Sequence, residues 1–545
     1  MGEAILDATV EQAPSEHPDK FVLDTSIGST TNGSAEEQSL ARALPARLDV
    51  FIFGIIAFLF FLLLLIASRH YAVHVDDLYS LGSIQTGGVQ GIISRSASML
   101  EPIPPLYYLC LWAWNHILLL ALGAPFSQFW LLLPSAVCTA GAVFVTGVAA
   151  RALFGGGPVS WLTCTISATS IMWTQIGLQL RYYGMQYLFA ALVVLFFIQL
   201  HRVEVNGTGK TRIWRLRVIL GLFMALTSFT AYSGLFWLLA LVTVDIIFFV
   251  IPRRRVALLI PYGLAAIWYS PWLIVILWNV ITGKIQRNFN VFWDATPTFS
   301  SVKIVYSQVL GNDRITALYL FAIVLVVVQL IIMKFALSRV NLELGTAAIF
   351  AACPILMIAE IYIYSAYLFP QGSIFTPRYF LLMWPIVCLS MGYALKAVLV
   401  WLHPWLTKSL VGTLIVSAVV VLGIQQAYPI LAKVSSSRGW YAYEPWQAKA
   451  DYLQAQLDIH SKDVQVYLPE MPLINATGWL YLSVTEEGSR PGFSVITAPP
   501  FTASKIYVSV RRGHQLDPTQ FAQYQLVGQE SDLAIWIFSK IGTTD

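Results

Sequence analysis

Between Val50 and Ser68 the chain reads VFIFGIIAFLFFLLLLIAS, with no charged residue. A helix crosses a bilayer core of about 30 Å in about 20 residues, so this run is long enough to span a membrane. Further apolar segments lie at approximately 105–122, 128–150, 159–176, 183–200, 216–232, 235–251, 256–272, 315–333, 344–368, 379–400 and 410–424. Only 11% of the 545 residues are charged, against about 25% in soluble domains. The pattern excludes a soluble globular fold and predicts an all-α polytopic membrane protein.

The flanks of these runs set an expected topology. Residues 1–48 are polar and begin without aliphatic clusters, which predicts a disordered cytoplasmic tail. Val50–Ser68 follows Arg42 and Arg47 without a small-residue cleavage site and reads as an uncleaved anchor. Loops rich in Lys and Arg face the cytoplasm; the strongest are 202–217, with five basic residues, and Arg253–Arg255. Placing them inside leaves segment 105–122 as the one that breaks alternation. Its paired prolines, aromatics, Asn115 and His116 suit a helix lying in the outer interface. About eleven transmembrane helices follow, with long outer loops at 69–127 and 273–314, the N-terminus inside and the C-terminus outside.

Beyond Gln425 the composition shifts. A helical pattern, EPWQAKADYLQAQL, precedes the β-type runs VQVYL, KIYVSV and LAIWIF, separated by Gly, Pro, Asp and Ser. Residues 428–545 thus predict a small extracytoplasmic α/β domain after a membrane domain at 49–427. The five cysteines all lie in apolar segments, which favours neither a disulfide framework nor a zinc cluster. The net charge of +4 is scattered over membrane loops and points to no nucleic-acid partner.

Charges on the expected outer face carry the chemistry. Asp76, Asp77 and Glu101 lie in the first outer loop, Arg181 in the turn QLRYYGMQY, and Arg378 in FTPRYFLL. Ionisable groups beside lipid are costly and are usually partnered or functional. A guanidinium grips a phosphate through two parallel hydrogen bonds, and a neighbouring carboxylate can take a proton from a hydroxyl. Together they suggest group transfer from a phosphate-linked lipid. Each residue also has a plainer reading. An aspartate pair often caps a helix, an arginine at a helix end snorkels, and Tyr107, Tyr108, Tyr182, Tyr183 and Tyr232 fit an interfacial aromatic belt. His74 and His116 stand alone, without a second metal ligand at useful spacing.

The order of these motifs resembles the GT-C superfamily of integral-membrane glycosyltransferases. The bacterial branch near protein O-mannosyltransferases, lipid A aminoarabinose transferases and rhizobial lipopolysaccharide galacturonosyltransferases is the most similar. The resemblance runs over about 50–400 through VDDLYSLG, EPIPPLYYLCLW, VAARALFG, LQLRYYGMQY, FTAYSGLF, IWYSPWL and TPRYFLLMWP. It implies a sugar donor on polyprenyl phosphate, an extracytoplasmic acceptor and inversion at the anomeric carbon. By position, Asp76 matches the acidic residue that binds or deprotonates the acceptor, and Asp77 its neighbour. Arg378 with Tyr379, and Arg181 with Tyr182 or Tyr183, match the phosphate side. Glu101, Tyr107, Gln179 and Tyr232 are further candidates. Some relatives bind a divalent metal near the dyad, for which Asp76 would be the ligand here. Gln179 stands where relatives often carry Glu, and Ile103 where they carry His.

The expected function is an inverting glycosyltransferase of a bacterial plasma membrane, working among membrane lipids on a glycolipid such as lipid A, an envelope polymer or a protein hydroxyl. A transporter or flippase of lipid-linked saccharides is the alternative, and would place its polar sites near the bilayer midplane. A scaffold that merely grips a lipid phosphate differs from the enzyme only in lacking activity.

Overall fold

Apolar runs of this length leave the backbone no water to bond, so helices must satisfy it internally. The computed structural model shows that outcome. It describes residues 35–68, 75–85, 87–98, 103–122, 128–170, 176–206, 209–251, 255–282, 296–310, 313–332, 342–368 and 373–402. Beyond these it describes residues 417, 449, 452–453, 464–468, 494–496, 499–509, 518–531 and 535–541. Two units separate, Met1–Leu44 and Pro45–Asp545. Of the first, residues 35–44 are described and are helical, so helix begins before the boundary that composition sets at residue 48. The run AEEQSLARAL consists largely of strong helix formers.

The helices are α1 (Ala35–Ser68), α2 (Val75–Gln85), α3 (Gly88–Ala97), α4 (Leu106–Leu122), α5 (Gln128–Phe154), α6 (Pro158–Ala168) and α7 (Tyr183–Asn206). They continue with α8 (Lys210–Thr230), α9 (Ser233–Asp245), α10 (Ile260–Ile281), α11 (Phe299–Leu310), α12 (Asp313–Ile332), α13 (Leu342–Ile363) and α14 (Trp384–Leu402). Among the described residues, nine helices are long and apolar enough to cross a membrane. The protein is an integral membrane protein of helices with a small C-terminal sheet. The expected segment 410–424 lies outside the described residues, apart from residue 417. Of segment 159–176, Pro158–Ala168 are helical, about 16 Å of rise; residues 171–175 lie outside the described residues, and 177–182 form a turn. Segment 105–122 is helix α4, and α2, α3 and α11 make much of the expected outer loops helical as well.

Burial ranks the spans. In α13 and α14 most of the apolar window is buried, 72% and 67%, whereas α1, α10 and α12 bury 28%, 22% and 28%. The first pair is therefore central and the other three present Phe58, Ile274 and Val324 outward, as lipid-facing helices do. Short connections reverse the chain between α7, α8, α9 and α10, so the helix ends collect at two faces. One face carries α2 and the turns before α7 and α9; the other carries Arg151, Arg217 and Arg255.

The close seam between α5 and α7 depends on Gly184. A Cβ there would lie 2.7 Å from both the Ser135 carbonyl oxygen and Thr139 Oγ1. Gly184→Val is expected to lower stability by about 1–3 kcal/mol, read as a lower thermal midpoint in detergent. An unchanged midpoint would show that the seam has slack.

The C-terminal sheet has the order β2-β1-β3-β5-β4, built from β1 (Val464–Tyr467), β2 (Ser494–Ile496), β3 (Lys505–Ser509), β4 (Tyr524–Glu530) and β5 (Ile535–Lys540). β1 lies parallel to β2 and β3, while β5 runs antiparallel to β3 and β4. β1 is buried throughout, as a central strand covered on both faces should be. Its Tyr467 joins Ile506, Val508, Phe521, Tyr524 and Phe538 in a separate core.

Candidate functional site

The site forms where α2, the turn before α7 and the residues before α14 meet. Asp76 and Asp77 occupy the first turn of α2, where carboxylates suit the positive end of the helix dipole. Adjacent positions on a helix point about 100° apart, so the two acids have different partners. Asp77 is fully buried, and its Oδ1 accepts the Leu180 N–H at 2.8 Å. Asp76 is half-buried and spans two guanidinium groups. Its Oδ1 lies 3.3 Å from Arg181 Nη2, and its Oδ2 accepts from Arg378 Nη1 at 2.9 Å.

Residues 176–182 hold Arg181 in place. Residues 177–182 are buried without being helical, which is tolerated at membrane depth only where protein satisfies the backbone. Ser135 donates its hydroxyl to the Gln179 carbonyl at 3.0 Å, Thr139 donates to Gly177 at 3.3 Å, and Asp77 takes the Leu180 N–H. Asp77 thereby fastens the Arg181 turn to the Asp76 helix. Arg181 also donates through Nη1 to the Tyr108 hydroxyl at 2.8 Å, and its guanidinium carbon stands 5.6 Å from the Tyr79 ring centre.

Arg378 stands at the start of a 3-10 segment, Pro377–Met383. Its guanidinium carbon is 5.5 Å from the Tyr379 ring centre, and its electrostatic neighbours include Tyr182 and Tyr183. The side chain is 34% exposed against 10% for Arg181, so Arg378 is the more accessible cation. Its buried Nε finds no hydrogen-bond partner among the described residues. Tyr182 and Tyr183 pack with ring centres 4.4 Å apart. Burial, then the neighbouring Tyr183, push the Tyr182 phenol well above its ordinary range, so it remains a neutral O–H. Burial does the same to Tyr107, with Asp77 adding to the effect.

The structure thus brings Asp76, Asp77, Arg181, Arg378, Tyr379, Tyr182 and Tyr183 together. Tyr107 packs edge-on behind Tyr108, with ring centres 5.5 Å apart. Gln179 contributes its backbone carbonyl to Ser135. Tyr232 sits in the α8–α9 turn, where the neighbouring Ser233 bonds Gln186 of α7 at 3.0 Å. Glu101 lies outside the described residues.

The arrangement does not fit a divalent ion at Asp76. Such an ion wants several hard oxygen ligands, whereas both Asp76 oxygens face cations and no three His, Cys, Asp or Glu residues converge among the described residues.

Two partners were not singled out as ligands of the charges, Tyr79 and Tyr108. Tyr108→Phe keeps the ring and deletes the acceptor that holds Arg181. A hydrogen bond to a charged group contributes about 1.5–3 kcal/mol, so the thermal midpoint should fall. No change in it would mean that Tyr79 and Asp76 suffice to hold the arginine.

Charge is not confined to this face. On the opposite side of the bundle His201 Nε2 lies 2.9 Å from Asp245 Oδ1, and Tyr262 donates to Asp245 Oδ2 at 3.2 Å. The pair is buried where α7 and α9 near their ends. Asp245 was visible in the sequence as an acid inside LALVTVDIIFFV.

No protein-family model matches the sequence, and neither does any curated protein. Solved structures do match. The crystal structure of ArnT from Cupriavidus metallidurans bound to undecaprenyl phosphate superposes with a TM-score of 0.54 at 12% identity, over 91% of this chain and 98% of that one. The apo state of the same protein gives 0.55 at 12% identity, with the same coverage. The oligosaccharyltransferase of Archaeoglobus fulgidus, tethered with an acceptor peptide, gives 0.48 at 11% identity over 84% of this chain and 64% of that one. The chain shares the fold of ArnT from Cupriavidus metallidurans.

Proposed function

We propose that the protein transfers a sugar from a polyprenyl-phosphate donor to an acceptor hydroxyl. The observation that carries this reading is the Asp76 carboxylate set between Arg181 and Arg378 on one face of a GT-C bundle. The likeness to a structure that holds undecaprenyl phosphate supports the class of donor.

The chemistry needs few groups. The acceptor oxygen attacks the anomeric carbon while the bond from that carbon to the phosphate oxygen breaks. The hydroxyl proton passes to Asp76, and the departing charge remains on the lipid phosphate beside Arg378. One displacement inverts the anomeric centre. No general acid is needed, because a phosphate leaves without protonation; the carboxylate spacing of glycoside hydrolases is therefore no guide here. Asp77 acts as a positioning residue through Leu180. Tyr182, Tyr183 and Tyr379 shape the phosphate side.

In this reading the N-terminus is cytoplasmic, and the site and the 428–545 domain face the periplasm of a bacterial inner membrane. The transferred group is a hexose or a pentose, and the acceptor a glycolipid such as lipid A, an envelope polymer or a protein hydroxyl.

The test measures free polyprenyl phosphate released from a panel of labelled lipid-linked sugars, in membrane extract that supplies acceptors. Release by wild type and not by Asp76→Asn is expected, with one sugar preferred. Movement of labelled donor between leaflets without release would overturn the transferase in favour of a flippase.

A further inference from the structure

Both oxygens of Asp76 are occupied. Oδ1 faces Arg181 at 3.3 Å and Oδ2 accepts from Arg378 at 2.9 Å. A carboxylate oxygen that already accepts from a guanidinium has one lone pair left and less negative charge to offer a hydroxyl, so withdrawal of one arginine makes Asp76 the better base. The structure distinguishes which. Arg181 is held by the Tyr108 hydroxyl and the Tyr79 ring and is 10% exposed. Arg378 is 34% exposed and its guanidinium has no counterpart of the Tyr108 bond among the described residues, whereas the buried Nε of both arginines lacks a partner there. In this pose Arg378 makes one charge-assisted bond to Asp76 and leaves a donor unused. A phosphate offers several oxygens in the geometry that a guanidinium fork matches, which a single carboxylate oxygen cannot do.

Resting on the proposed donor chemistry, we infer that the lipid phosphate strengthens the base: Asp76 and the donor phosphate compete for Arg378, and donor binding takes Arg378 off Asp76 Oδ2. Arg181 keeps Oδ1 and holds the carboxylate in place. The consequence is a favoured order, with donor binding before the acceptor is fully activated. Without donor, the carboxylate is engaged by both arginines, and a passing hydroxyl or water meets a weaker acceptor. The Asp76–Arg378 contact is thus an autoinhibitory one, opened by the substrate that makes opening useful.

Competition predicts an effect opposite to that of a simple binding residue. Removing the Asp76 charge should strengthen the grip on the lipid phosphate. The probe is undecaprenyl phosphate, titrated into the purified full-length protein in detergent, which needs no acceptor. Asp76→Asn and Asp76→Ala, run in parallel so that one folded variant suffices, are expected to bind about twofold to fivefold tighter than wild type. Asp76→Glu keeps the competing charge and should bind as wild type does. In an Arg378→Ala background the gain should vanish, since the interaction term belongs to that pair.

If neutral variants bind undecaprenyl phosphate no more tightly than wild type, the competition is overturned while the donor reading stands. A gain that persists without Arg378 would also overturn it, showing a diffuse charge effect. If wild type binds no undecaprenyl phosphate at all, the donor reading fails, and this inference with it.

Discussion

Asp76→Asn is expected to slow sugar transfer by about 10²- to 10⁴-fold while leaving the fold intact. The amide has the same shape, and its oxygen still accepts from one arginine, so packing changes little. What it loses is the capacity to take a proton at the reacting hydroxyl. Asp77→Asn, one position along, is expected to behave differently. Its carboxylate is fully buried and holds the Leu180 N–H, so the damage should appear in stability together with activity. Comparing both variants for turnover and for thermal midpoint in detergent separates base from fastener. A transfer rate for Asp76→Asn equal to that of wild type would remove the base assignment.

The second large effect lies far from the site. Asp49 is 3% exposed and accepts three hydrogen bonds, from Arg151 Nε at 3.0 Å, the Gly157 N–H at 3.0 Å and Trp161 Nε1 at 2.8 Å. These tie α1 to the end of α5 and the start of α6. Asp49→Ala would leave an indole N–H and a backbone N–H without their acceptor, while Arg151, 36% exposed, can turn to water; each buried donor so orphaned costs about 1–3 kcal/mol. Gly156 gives an independent check, because a Cβ there would fall 2.1 Å from Asp49 Oδ2. Gly156→Ala should therefore lower the thermal midpoint in the same direction, through displacement in place of deletion. If Asp49→Ala melts where wild type does, the clamp contributes nothing.

Much of this architecture was legible as long apolar runs, because a lipid environment leaves the backbone few alternatives. A turn at 177–182 was expected from its place between two apolar runs, but what holds it was not. The groups that satisfy that turn are Ser135, Thr139 and Asp77, 44, 38 and 103 positions away from their partners. No local pattern records such bonds. Asp76, Arg181 and Arg378 stood out as charges beside apolar runs, because the burial of charge is rare enough to be noticed. Their division of labour did not: that Asp77 binds backbone while Asp76 faces two cations follows from the helical rotation of α2 against two distant segments. Tyr107 and Tyr108 look alike in sequence, and only packing decides that Tyr108 holds Arg181. In the C-terminal region the strands β1, β3 and β5 were visible as β-type runs, while their mixed parallel and antiparallel order was not.

The Asp76–Arg378 bond joins positions 302 residues apart, and this separation bears on how the protein is made. As the chain is threaded into the bilayer from its N-terminus, Asp76 and Arg181 arrive early and Arg378 among the last helices. A chain halted before residue 378 holds a carboxylate and one cation but lacks the group assigned to the lipid phosphate. Ribosome products that stop short are therefore expected to be inert toward the lipid-linked sugar pool, and competence arrives only once the final helices are laid in.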